Sequence, residues 1–332
     1  MRIALLAAVT AAAVPSLLTA QAQGSYTLSG DNVAVYNLVG TLQVERGTGD
    51  AVTVQVTPGG ADAGRLKLEQ GTVRGRNALR VVYPGDRIRY AGMGHGSRTT
   101  LQVQGDGTFG DDVRGGRRVT ISGGAGGAEA WADLRVAVPA GRQLVLRLAV
   151  GTVTLANVDG RINVGVLSGS IKATGEGGEL KVGTGSGDVE VTRFQGERIV
   201  LETGSGDVAA SGVNARRLSI ETGSGDVRLS ELEVPEAVVE TGSGGVTVDL
   251  KADVASLRIS TGSGDVAVTA PASLGAAVNV ETGSGEIDSE FPLTITRTGS
   301  DHLTGTVGDG NGTISVETGS GSVRLLRRGG NP

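Results

Sequence analysis

Along the second half of the chain, apolar and polar positions alternate in short bursts that recur at a fixed distance. The tetrapeptide Thr-Gly-Ser-Gly begins at Thr184, Thr203, Thr222, Thr241, Thr261, Thr282 and Thr318. Four and two residues before the Thr the side chain is aliphatic, as in Ile199 and Leu201, Leu218 and Ile220, Leu257 and Ile259, and Ile314 and Val316. Five and seven residues after it the pattern returns, with Val189 and Val191, Val227 and Leu229, Val266 and Val268, and Val323 and Leu325. Alternation of mostly β-branched residues is the period of a strand with one buried face. Each period therefore holds two short strands around a Gly-rich turn.

The successive intervals are 19, 19, 19, 20, 21 and 36, the last fitting two turns of about eighteen. A sustained period near 19 marks a solenoid. Identical side chains at identical positions favour the rungs of a coil over successive hairpins, because like stacks on like in an in-register parallel ladder. The expected fold is all-β, a parallel β-solenoid (β-helix) with about 19-residue rungs. Nine or ten rungs at ~4.8 Å each would give a rod of about 45 Å. Weaker copies of the turn lie upstream, at Ser168 to Ile171 and Val150 to Val153.

Before residue 148 the alternation is irregular. Strands are expected at Val33–Leu38, Leu42–Glu45, Val52–Thr57, Leu79–Tyr83, Thr99–Gln104 and Leu134–Val138, separated by longer loops. Residues 23–147 thus read as an irregular β-rich part, either opening rungs or a cap against edge-to-edge pairing, and 148–328 as the regular solenoid. The first 22 residues read as a signal peptide: Arg2, an apolar run from Ile3 to Val14, Pro15, then Ala20-Gln21-Ala22 before the cut. The run is short for a membrane span and no second apolar segment follows, so a mature chain without a transmembrane segment is expected. That places the protein outside the cytoplasm: periplasmic, cell-surface or secreted.

Composition narrows the chemistry. Glycine supplies 57 of 332 residues, which at a fixed period means corners rather than disorder. The absence of Cys removes disulfides, thiolate metal sites and Cys nucleophiles together. His95 and His302 are the two histidines; neither lies in a nucleophile-elbow context, and both read as solvated loop residues. Three Phe, one Trp and four Tyr in a chain of net charge −5 do not make a nucleic-acid platform. Thr-Gly-Ser-Gly is followed by a strand and lacks the Lys of a phosphate loop. Residues 23–147 carry a net +4 and residues 148–332 a net −10, which raises head-to-tail association of opposite ends.

The repeated polar feature is acidic. Glu202, Glu221, Glu240, Glu281 and Glu317 precede the Thr, and Asp188, Asp207, Asp226, Asp265 and Glu286 follow the turn. Parity places both columns outside, where stacked like charges repel. Water and salt can screen such a ridge, or a hard cation such as Ca²⁺ can relieve it. The candidate ligands for Ca²⁺ are Glu202, Asp207, Glu221 and Asp226; no other cofactor is indicated. The Gly-Gly-x-Gly-x-Asp calcium β-roll fits poorly, because here the acid directly follows the second Gly. For catalysis, the cluster to weigh is Asp111-Asp112 with Arg114, Arg117 and Arg118, on a Gly-rich loop that fixes no carboxyl separation. Tyr90, Met93 and Trp131 could form a patch on the N-terminal part, or belong to its core.

The Thr-Gly-Ser-Gly-Asp-Val units resemble the bacterial putative-adhesin family of β-strand-repeat domains of unknown function. Val35-Tyr36-Asn37-Leu38 and Val136-Ala137-Val138-Pro139-Ala140-Gly141 resemble it as well. The resemblance implies an exported β-repeat protein with adhesion or envelope association and no catalytic motif. The expected function is a non-enzymatic adhesin-like or envelope scaffold protein whose solenoid surface binds an envelope or cell-surface component. A polysaccharide-active β-helix enzyme and a Ca²⁺-stabilised surface protein are the alternatives.

Overall fold

A computed structural model describes residues 24–110 and 115–329. The leader with its cut after Ala22, and Asp111, Asp112 and Arg114, lie outside the described residues. Among those described, no helix is long and apolar enough to cross a membrane.

The repeats stack as parallel, in-register rungs. Strand Gly177–Ser186 lies between Asp159–Ser168 and Gln195–Ser205, and Asn214–Ser224 follows. The second strand of each period forms its own ladder, Ile171–Thr174, Val189–Thr192, Val208–Ser211 and Val227–Leu232. Partners are the residues parity predicts: Leu180 with Ile199, Ile199 with Leu218, Val189 with Val208. All of these are buried, so aliphatic columns fill the coil. Each contributes about 1.5–3 kcal/mol by leaving water, which explains why the alternation holds register.

The stack begins earlier than the regular motif. Asn32–Arg46 and Arg142–Ala156 pair in parallel from Gln143 opposite Asn32 to Ala156 opposite Glu45. Val33–Leu38 and Leu42–Glu45 are thus one rung bent at Gly40 rather than two separate strands. The segment between these rungs, joined by Gly24–Leu28 from ahead of the first, builds the cover on the outer side of the first. Arg76–Val82 pairs with Val33 to Tyr36, and Trp131–Val138 pairs with Leu42 to Arg46. Val52–Gly59 and Gly24–Leu28 then continue antiparallel. A four-stranded sheet of Arg87–Arg89, Arg98–Val103, Arg117–Ser122 and Ala128–Glu129 completes it. Under the cover Tyr83 and Asn37 are buried and tied, the Tyr83 hydroxyl 2.7 Å from Asn37 Oδ1 and Asn37 Nδ2 donating to Ala132 O at 2.7 Å.

At the other end the structure corrects the spacing. The 36 residues between Thr282 and Thr318 do not hold two turns of the coil. Thr294–Thr298 and His302–Val307 instead form an antiparallel hairpin, whose second strand pairs antiparallel with Ala276–Thr282. The chain then returns, and Gly312–Thr318 enters between Ser256–Thr261 and Ala276–Thr282, parallel to both. Val323–Arg327 does the same between Val266–Ala270 and Ile287–Ser289. The last rung of the sequence is therefore an inner rung of the stack. An interval equal to two periods was the misleading signal: the hairpin happens to have the length of one rung.

Candidate functional site

The turn column shows what the repeated polar residues do. Each Thr of the motif points inward and is buried, between 2 % and 6 % exposed. Its hydroxyl donates to the carbonyl of the second turn Gly one rung below, as Thr184 to Gly169 at 2.8 Å and Thr203 to Gly187 at 3.1 Å. A hydroxyl in an aliphatic column is thereby satisfied without water. The second Gly requires positive φ, as at Gly225 with φ 138°. A Cβ there would stand 2.1 Å from Gly206 O, so both conformation and stacking exclude a side chain.

The Asp column is also occupied. Asp188 Oδ1 accepts from Asp207 N–H at 3.0 Å, Asp207 Oδ1 from Asp226 N–H at 2.9 Å, and Asp226 Oδ1 from Gly245 N–H at 2.9 Å. Asp265 accepts from Ser322 N–H at 2.8 Å, across the returning rung. Stacked carboxylates are thus relieved by the next rung's backbone. Arg228 adds charge compensation, 3.2 Å from Asp207 and 2.7 Å from Asp226.

Of the four candidate cation ligands, Asp207 and Asp226 share these partners. Glu202 pairs with Lys181 at 2.7 Å, and Glu221 stands exposed one rung further along its own column. Among the described residues no group of three or more His, Asp or Glu is arranged to hold a metal ion. Opposite charges also alternate across rungs elsewhere, as in Arg161–Glu179 at 2.9 Å and Lys172–Glu190 at 2.9 Å.

One outward surface differs. Near the N-terminal cover the sheet carries a groove of about 380 Å³, with Arg76, Arg161, Lys181 and Arg198 along it and Val145 and Val200 in its floor. Arg161 and Lys181 are neutralised by Glu179 and Glu202. Arg76 and Arg198 make no ion pair among the described residues, leaving two uncompensated guanidiniums in the groove. The spacing of motifs could not reveal this site, because Arg76 comes from the cover and reaches the solenoid through the pairing of Arg76–Val82 with the first rung.

The remaining candidates do not converge. His95 is exposed in the cover. His302 is not a loop residue: it opens the hairpin's second strand, its Nδ1 2.7 Å from Asp301, whose carboxyl that contact lowers. Arg117 reaches back to the carbonyls of Tyr83 and Gly85. Tyr90 and Trp131 pack on each other, ring centroids 5.9 Å apart, against the core.

Sequence parity missed one group entirely. Glu176 sits in the inward column of Val158, Phe194 and Val213, 2 % exposed. Its Oε2 accepts from Val158 N–H at 3.1 Å, and its Oε1 has no partner among the described residues. Burial pushes this carboxyl up to about 7, against the pull of the nearby backbone N–H groups.

A protein from Clostridium sporogenes described as a putative cell adhesion protein is similar in structure. It shares 12 % identity over 92 % of this chain and 99 % of that one, with a TM-score of 0.24. A putative adhesin from Parabacteroides distasonis shares 10 % identity over 92 % of this chain and 96 % of its own, with a TM-score of 0.37. No curated protein matches the chain. The family that matches is Toastrack DUF4097, over residues 133–326. That span runs from the strand pairing with the first rung to the returning rung, more than half the chain, and the protein belongs to the Toastrack DUF4097 family.

Proposed function

We propose that this is a non-enzymatic, exported binding protein of the bacterial envelope, adhesin-like in using a solenoid surface. Its contact is the groove between Arg76 and Arg198, and its partner an anionic envelope polymer. The observation that carries the reading is the pair of uncompensated guanidiniums in that groove. Guanidinium forks bind carboxylate or phosphate in two-point contacts, and the parallel ladder beneath gives a flat bed for an extended chain. The engagement of Asp207, Asp226 and Glu202 by backbone or basic groups supports structural rather than catalytic work for the acidic columns. Export rests on the apolar leader ending at Ala22.

Pull-down of the mature chain against envelope fractions tests this. Retention is expected at low salt, with loss at high salt as the charges are screened. Replacing Arg76 and Arg198 together by Ala should abolish it. Retention by the double variant would move the contact elsewhere; no retention from any fraction would end the reading.

A further inference from the structure

The returning C-terminal rung occupies a slot whose walls are two rungs that are neighbours in sequence. On one side Leu257, Ile259 and Thr261 pair with Ile314, Val316 and Thr318. On the other side Val278, Val280 and Thr282 pair with the same three residues. The turn column runs through without a break: Thr318 Oγ1 donates to Gly264 O at 3.2 Å, and Thr282 Oγ1 to Gly321 O at 3.0 Å. Upstream, Thr261 makes the same contact with Gly244 at 3.3 Å, between rungs that follow each other directly. The edge of a rung therefore recognises the motif and its register, not the chain that delivers it.

Only the short turn of Gly308, Asp309, Gly310 and Asn311 delivers this rung, with φ of 57° at Gly308 and 72° at Gly310. The hairpin already covers the far edge of Ala276–Thr282, so on that strand a displaced C-terminal rung has no second edge to occupy. When the rung leaves, two parallel edges open, both complementary in register to residues 312–327. Exchange of an identical element between chains costs little, because every pairing given up within one chain forms again with the other.

We infer that residues 312–327 form an exchangeable rung, and that the slot accepts the same rung from a second copy of this chain to give a reciprocal dimer.

The chain has no Cys, so engineered thiols report this without background. Ser260 and Glu317 are register partners across the slot. Full-length Ser260→Cys and Glu317→Cys variants, unfolded together and refolded at high concentration, should yield a disulfide-linked heterodimer. Ser219→Cys and Val238→Cys, register partners between rungs that do not exchange, should yield none. Native mass spectrometry of co-refolded heavy and light wild-type chains gives a readout free of substitutions, with mixed dimers expected. Monomer alone in that experiment, or equal cross-linking from both Cys pairs, would overturn the inference.

Discussion

Residues 177–232 and residues 256–327 use the same motif, yet only the first segment stacks in the order in which it is written. In the first, each Thr-Gly-Ser-Gly turn sits on the one before it, Thr203 bonding to Gly187 and Thr222 approaching Gly206 at 3.4 Å. In the second, Thr282 bonds to Gly321, which lies later in the chain. The motif encodes how two rungs touch and leaves open which two rungs touch. Chain order is then decided by what happens between rungs, here by the hairpin that caps Ala276–Thr282 and turns the chain back.

Ending the chain at Asn311 is the strongest way to break that difference. It removes an inner rung, with Ile314, Val316, Val323 and Leu325 all buried, each holding about 1.5–3 kcal/mol. Hydrogen exchange should show residues 276–307 losing protection along with the missing rung, while residues 177–232 keep theirs. If 276–307 stay protected, they have re-stacked directly on Ser256–Thr261, and written order is also a stable order.

This is where legibility in the sequence stopped. Strand pattern, inward columns and the glycine corner followed from spacing, because a period-two alternation can bury one face only. The order of rungs 276–289 and 312–327 could not follow, because their apolar positions and turns are interchangeable. The groove was hidden for a related reason: Arg76 and Arg198 are far apart in the chain, and the cover strand Arg76–Val82 brings Arg76 to the surface that Arg198 also lines. The Thr column was readable in principle, since Thr203 shares parity with Ile199 and Leu201, and a hydroxyl of that parity demands an acceptor. Glu176 lies between Gly175 and Gly177, where no alternation exists to assign it a face.

The glycines sharpen the contrast between solenoid and cover. Gly225→Ala would force a Cβ against Gly206 O at a φ that disfavours any side chain, and should cost about 3–5 kcal/mol in denaturant unfolding. Gly124, in the cover, has open space where its Cβ would go and carries no left-handed φ. Gly124→Ala should be neutral or stabilise by up to about 1 kcal/mol through the unfolded chain. A comparable loss at both sites would mean that the cover's glycines are also stacking corners.

A smaller effect is expected at Glu176, the one acid in an inward column that is otherwise aliphatic or aromatic. Its folded value of about 7 lies above the ordinary 4.5, so the folded state holds the proton more tightly than the unfolded chain does. The stabilisation is complete below about pH 4.5 and is lost as pH rises through about 7. The difference amounts to at most about 3 kcal/mol. Val158 and Phe194 flank it in its column, and the backbone N–H of Val158 is its donor. Glu176→Gln keeps an acceptor for that N–H and removes the charge. The variant should be more stable than the parent at about pH 8 and should flatten the stability profile between about pH 4.5 and about pH 8. An unchanged profile would mean that the carboxylate finds water in its column.

The least effect is expected where the sequence first suggested a metal. Asp207 Oδ1 already accepts from Asp226 N–H, and Asp207 Oδ2 faces Arg228 at 3.2 Å. A cation there would have to displace a guanidinium that also holds Asp226 at 2.7 Å. Asp207→Asn retains the backbone acceptor and loses only an exposed ion pair, a change of about 0–1 kcal/mol. The melting temperature of parent and variant should therefore be the same in millimolar Ca²⁺ and in chelator. A Ca²⁺-dependent rise in the parent that the variant lacks would make the Asp column a binding ridge. The interior rungs would then carry a function of their own, in addition to the stacking that separates them from the closing segment.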